Sequence, residues 1–65
     1  MKTDNLTKAA QGAADVTSAL HQAYLDAIDE RNEFAVLHLR ELHLEAIALR
    51  NRLDSALYAA NATNE

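Results

Sequence analysis

Three histidines are the residues of this chain that first suggest chemistry, because imidazole serves as a metal ligand and as an acid or base. His38 and His43 are five residues apart, about 140° around a helix, and so lack the i, i+4 spacing with which two imidazoles hold one ion. Ser18, Ala35 and Arg40 stand where the Glu-x-x-His pattern of di-iron bundles requires Glu. Cys is absent. We therefore expect no metal and no cofactor.

Nucleophilic and phosphate-transfer chemistry have no matching motif. Ser18 and Ser55 lack the strand-turn-helix elbow that exposes a catalytic serine. Gly12 is the single glycine, so no glycine-rich loop can surround a phosphate. The sequence predicts that the chain is not an enzyme.

One short motif resembles the signature of HEPN ribonucleases, in which an Arg and a polar residue precede a His. Here Arg31 and Asn32 precede His38. The resemblance implies that these three residues form a catalytic set, with Arg and His of two subunits meeting on RNA. His would act as acid or base, and Arg would stabilise phosphate charge. The spacer is at the long end of the family's range, the chain is about half as long as those domains, and four acids lie within residues 26–33. We therefore keep the non-enzymatic prediction.

Basic and aromatic side chains recur along the edges of the C-terminal half. His43 and Arg50 are seven residues apart, which places them on one edge of a helix. Arg and Tyr are enriched at binding hot spots, so such edges can hold a protein or an anionic small ligand. The predicted binding residues are Arg40, His43, Arg50, Arg52 and Tyr58.

Two apolar seams indicate the helices that carry these residues. In the N-terminal half, apolar residues alternate at three and four residues, which is a heptad seam: Leu6, Ala9, Ala13, Val16, Leu20, Ala23 and Ala27. After the polar residues 29–33, the seam restarts in a new phase: Ala35, Leu39, Leu42, Ala46, Leu49, Leu53, Ala56 and Ala60. Asp4 or Asn5 is a plausible N-cap.

A turn between the seams explains the change of phase most simply. The sequence therefore predicts an all-α fold, a single antiparallel helical hairpin over residues 1–65. Helix one spans about 5–29, the turn about 30–32, and helix two about 33–61. One continuous helix in a coiled coil is the alternative, because the turn contains neither Gly nor Pro.

The second helix also carries apolar residues away from its seam. We name this set the outer stripe: Phe34, Leu37, Leu44, Ala48 and Tyr58, with Ile47 beside it. A helix that is apolar on most sides is normally buried on most sides, and one companion helix cannot cover both faces. We therefore expect a homodimer that forms a four-helix bundle. Its predicted interface is Phe34, Leu37, Leu44, Ile47 and Ala48.

Length and charge restrict the function. A chain of 65 residues has a small hydrophobic core and is only marginally stable. Because it has no Cys, disulfides cannot stabilise it, and the remaining way to do so is oligomerisation. The net charge of −4 argues against nonspecific binding to a nucleic acid backbone. No apolar run approaches the roughly 20 residues of a membrane span, and we expect a cytoplasmic protein.

The architecture favours a binding protein. Small plasmid and phage regulators include helical-hairpin dimers, and the chain looks like that architecture. We expect a dimeric regulator or inhibitor of the kind that phages and plasmids encode, which occupies a partner protein. The alternative is a bundle that binds a nucleotide or RNA through the Arg and His edges of helix two.

Overall fold

The structure is a computed structural model that describes residues 2–63, and it contains two helices packed side by side. Helix α1 spans Asp4–Asp29 and helix α2 spans Glu33–Thr63. The hairpin forms a narrow rod of 51 × 14 × 11 Å. The predicted hairpin is confirmed, and the alternative of one continuous helix is wrong. Met1, Asn64 and Glu65 lie outside the described residues.

The turn is built by hydrogen bonds that end α1 without a glycine. The Arg31 N–H donates to the Ile28 carbonyl, and the Asn32 N–H donates to the Ala27 carbonyl, each at 3.0 Å. This pair of bonds is the Schellman motif, which requires a left-handed residue just after the helix. Arg31 takes that conformation, with φ 56°. The chain can therefore reverse although the turn lacks Gly and Pro.

Asn32 ends the turn and begins α2. Its carbonyl accepts the first helical hydrogen bond from the Val36 N–H at 2.9 Å. Its side-chain Oδ1 accepts the Ala35 N–H at 3.1 Å. Asn is among the best N-cap residues because this bond satisfies an amide that the helix leaves unpaired. The start of α2 is thus fixed by one side chain.

Replacing Arg31 with Gly is expected to stabilise the hairpin. Glycine adopts the left-handed conformation without the steric cost that a side chain adds, so Arg31→Gly should raise the free energy of unfolding by about 1 kcal/mol. Asn32→Ala should lower it by about 1 kcal/mol through loss of the cap. Chemical denaturation at one fixed protein concentration measures both. A less stable Arg31→Gly protein would contradict this description of the turn.

The N-cap position of α1 lies before both predicted caps. Thr3 occupies the N-cap position, and its carbonyl accepts the Thr7 N–H at 2.8 Å. No side-chain hydrogen bond caps the helix, since Thr3 has φ −105° and ψ 0° rather than the extended backbone of a capping residue. The prediction of Asp4 or Asn5 as the cap is wrong, because both lie inside α1.

Small residues fill the contact between the helices. The buried residues are Ala10, Ala13, Thr17, Ala27, Ala46 and Ala60. The Thr17 hydroxyl donates to the Ala13 carbonyl at 2.6 Å, so its burial leaves no unpaired polar group. Within residues 2–63, no large side chain is fully buried. The helices can approach closely, but each alanine contributes little hydrophobic stabilisation.

The structure divides the predicted seams into two sets. The residues at every seventh position from Leu6 and Leu39 are buried or half-buried, as expected: Leu6, Ala13, Leu20, Ala27, Leu39, Ala46, Leu53 and Ala60. Between them, the residue after the predicted one is buried or half-buried instead at Ala10 and Thr17 of α1 and at His43 and Leu57 of α2. The predicted Ala23 and Ala35 are half-buried, as is Tyr24 next to Ala23. The predicted residues that are exposed instead are Ala9, Val16, Leu42, Leu49 and Ala56. On each helix, the side that contacts the other helix is therefore rotated slightly around the helix axis from the predicted seam.

Candidate functional site

The outer stripe of α2 is not covered by α1. Phe34 is 79% exposed, Leu37 60% and Leu44 57%. Ala48 is exposed as well, and Ile47 is half-buried. One companion helix therefore covers one side of α2 only, as the sequence indicated. That a second chain covers these five residues stays a prediction.

The apolar part of the outer stripe is concentrated near the turn. Asn51 and Ser55 lie on the same side of α2 and separate Tyr58 from the rest. At the turn, a groove of about 520 Å³ lies next to the stripe. Its lining residues are Ile28, Arg31, Glu33, Val36 and Leu37. The turn end thus combines exposed apolar side chains with a concave surface.

A second apolar surface lies along one side of the hairpin, between the helices. We name it the groove face and define it by Ala9, Gly12 and Val16 of α1 and Leu42, Leu49 and Ala56 of α2. A groove of about 290 Å³ runs along it. All its lining residues are apolar or glycine: Ala9, Gly12, Ala13, Val16, Ala46, Leu49 and Leu53. Val16 and Leu49 are about half exposed, at 54% and 52%. The sequence analysis assigned Val16, Leu42 and Leu49 to the contact between the helices, so it did not identify this surface.

A third surface contains two of the three histidines. The rings of His21 and His43 are 5.2 Å apart between centroids and tilted by 37°. They line a groove of about 260 Å³ together with Tyr24, Arg40 and Leu44, and we name it the histidine groove. His21 was not predicted. The predicted hairpin could have indicated this pair, because residues separated from the turn at Arg31 by similar numbers of residues lie side by side.

The five predicted binding residues do not form one site. Arg40 and His43 lie together in the histidine groove. Arg50 forms an ion pair with Asp54, with 4.0 Å between Nε and Oδ2, and both side chains are at least half exposed. Arg52 is exposed and lies about 200° around α2 from Arg50, since each residue advances the helix by about 100°. Tyr58 is 78% exposed.

The residues that resemble the HEPN motif have structural roles in the turn. Arg31 supplies the left-handed residue that ends α1, and Asn32 caps α2. His38 is exposed on α2. The cap of α2 therefore accounts for Asn32, whereas the turn requires only a left-handed residue at position 31 and not an Arg.

Two further observations concern metals and membranes. Within residues 2–63, no three His, Asp or Glu side chains converge as metal ligands do. Neither helix, over the part of the chain that the structure describes, has the length and apolar character needed to cross a bilayer.

Comparison with known proteins gave no relative from which a function could be transferred. No family model, no curated protein and no solved structure matches the chain.

Proposed function

We propose that this chain is a non-enzymatic binding protein, a dimeric helical regulator or inhibitor that acts by occupying a partner protein. The observation that carries the proposal is the large apolar surface that the hairpin leaves exposed. Phe34, Leu37 and Leu44 are each more than half exposed on one helix. Large apolar side chains exposed together in this way mark interaction surfaces in soluble proteins.

The turn end is the surface best suited to the partner. Phe34 and Leu37 lie one helical turn apart on α2, and Leu37 also lines the groove at the turn. An exposed aromatic ring beside a groove lined by three apolar side chains and by Arg31 and Glu33 has the form of a binding hot spot. The partner would place an apolar side chain in this groove and close over Phe34.

Charge at the turn end indicates the chemistry of the partner. Asp29, Glu30 and Glu33 are exposed around the turn, where Arg31 is the neighbouring base. An acidic rim attracts a basic surface and speeds association with it. The proposed partner is therefore a protein with an apolar projection surrounded by Lys or Arg.

Analogy of architecture supports the remaining parts of the proposal. Small phage and plasmid regulators include helical-hairpin dimers. By this analogy alone, we propose that the chain is a cytoplasmic protein encoded by a phage or a plasmid.

An alternative function rests on the histidine groove. Arg40 and His43 lie beside His21 and Tyr24, which is a combination that can hold a phosphate and stack on a base. The net charge of −4 weakens attraction to RNA. We therefore place a nucleotide or RNA second to a protein partner.

Affinity capture from the source cells tests the proposal when variants are compared. Immobilised protein should retain a partner that Phe34→Ala combined with Leu37→Ala loses. Truncating two hot-spot residues should weaken binding by about 100-fold or more. Gln11→Ala combined with Gln22→Ala is the matched control, because both side chains are exposed on α1 and belong to none of the three surfaces.

Three outcomes would count against the proposed function. The double variant could retain the same protein as strongly as the wild type does, or the wild type could retain no protein. Recovery of nucleic acid or nucleotide, lost on Arg40→Ala, would instead support the histidine groove as the site.

A further inference from the structure

We propose that the groove face holds a second copy of this chain, and that it is the dimer contact of the protein. The inference rests on the proposed dimer and deepens it by assigning its surface. It moves the contact from the outer stripe to Val16, Leu42, Leu49 and the small residues between them. The outer stripe is then left free for the partner protein.

The heptad pattern carries the first step. Helices that face the interior of a bundle carry apolar residues at about three of seven positions. In this hairpin, two of those positions face the other helix and the third lies on the groove face. On α2 that third position is filled by Leu42, Leu49 and Ala56, seven residues apart. A row of this regularity runs parallel to the helix contact and suits another helix along its length.

The outer stripe does not have this regularity. Glu41 interrupts it between Leu37 and Leu44, and Asn51 and Ser55 interrupt it beyond Ala48. The lining of the groove face, by contrast, consists of apolar residues and glycine. A second hairpin placed along the rod would therefore bury fewer polar groups on the groove face than on the outer stripe, and buried polar groups without partners cost stability.

The exposed area indicates how much surface a second copy would cover. The accessible surface is 5147 Å². That is about 1,000 Å² more than the roughly 4,100 Å² expected for a compact monomer of 7.1 kDa. Two chains packed into a body of ordinary compactness would bury about 3,500 Å² in total. This value lies within the range of about 2,000–5,000 Å² typical of obligate homodimers.

Size complementarity gives the register of the two copies. If α2 packs antiparallel on α2 of the partner subunit about a twofold axis at Leu49, Leu42 lies opposite Ala56 of the partner subunit. On α1, the same axis places Val16 opposite Gly12 of the partner subunit. A methyl group at Gly12 would meet no atom within 4 Å apart from its chain neighbours and the nearby backbone of its own helix, so the space there is open. Large side chains thus face small ones, as knobs-into-holes packing requires.

Charge agrees with the same register. Glu45 and Arg52 flank the groove face on α2 and are both exposed. An axis near Leu49 brings Glu45 beside Arg52 of the partner subunit, and the symmetry repeats the pair. Opposite charges at such flanking positions select the orientation of paired helices.

Matched substitutions on α2 test the assignment. Leu49 and Leu44 have similar exposure in the single hairpin, at 52% and 57%. Leu49→Glu should raise the dissociation constant of the dimer by about 100-fold or more, because it brings two unpaired carboxylates together on the axis. Leu44→Glu should change it by less than about threefold, as expected of an exposed site. Sedimentation equilibrium measures both values.

A cysteine variant tests the register without adding charge. The chain has no Cys of its own. Leu49→Cys at the axis should form a disulfide-linked dimer in a glutathione redox buffer at low micromolar concentration, and Leu44→Cys should stay monomeric on a denaturing gel. A disulfide requires Cα atoms within about 7 Å, so its formation reports proximity.

The outcomes separate this inference from the proposed dimer. A dimer that Leu44→Glu disrupts and Leu49→Glu leaves intact would overturn the groove face and keep the dimer. Failure of Leu49→Cys to cross-link in a dimeric protein would also overturn it. A wild-type protein that is monomeric throughout would overturn both.

Discussion

A hundredfold dilution of the protein is expected to lower its melting temperature by about 10 °C. Folding and association are coupled when the single hairpin has too small a core, and here the buried residues are five alanines and Thr17. A two-chain unit should unfold with an enthalpy of about 90 kcal/mol near 60 °C, and the dilution changes the association free energy by about 2.7 kcal/mol. The expected shift is this free energy divided by the entropy of unfolding that corresponds to the enthalpy.

Circular dichroism at a series of concentrations measures this shift. The disulfide-linked Leu49→Cys dimer is the control, because its two chains no longer separate on unfolding and its melting temperature should not depend on concentration. A wild-type melting temperature that stays constant over the hundredfold range would show that the hairpin is stable alone.

Ala46→Glu is expected to unfold the protein. Ala46 is only 9% exposed and lies between the helices. A carboxylate there would be buried without a partner, at a cost of about 3–5 kcal/mol. Small domains have a stability of only about 0.05–0.15 kcal/mol per residue, which is about 3–10 kcal/mol for this chain. Because the buried residues are alanines and Thr17, we expect a value near the lower end, so this loss is enough to unfold the hairpin. Far-UV circular dichroism at 25 °C should lose most of the helical signal.

Ala48→Glu is the control for this substitution. Ala48 lies two residues away on the same helix and is exposed. The new carboxylate would remain in water, so the helical signal should be retained. A folded Ala46→Glu protein, or equal loss of structure in both variants, would contradict the helix contact described above.

The turn could be predicted from sequence because several signals agree there. Residues 29–33 are polar, the seam changes phase across them, and Asn32 is a good N-cap. What the sequence did not reveal is how the chain reverses without glycine. That depends on Arg31 adopting a left-handed conformation, which is uncommon for a residue with a side chain and leaves no pattern in composition.

The exact contact stripe could not be predicted from hydrophobicity. At two ambiguous positions of the heptad the predicted seam follows the more apolar residue, Val16 over Thr17 and Leu42 over His43. The structure places Thr17 in the contact because its hydroxyl is satisfied by the Ala13 carbonyl within the same helix. At Ala9 and Ala10 the two choices are identical in chemistry, so sequence alone cannot separate them.

The candidate surfaces were predictable to different degrees. The outer stripe followed from counting apolar residues on α2, and it is exposed as a single companion helix implies. The pairing of His21 with His43 depends on the register between two helices, which periodicity within one helix does not contain. The groove face was hidden because its residues were assigned to the hairpin contact.

The mass of the wild-type protein in solution tests the central claim most directly, which is that one hairpin leaves too much apolar surface exposed to exist alone. Sedimentation equilibrium at micromolar concentration should give twice the chain mass of 7.1 kDa. A folded protein that sediments as a single chain across the accessible concentrations would contradict the account.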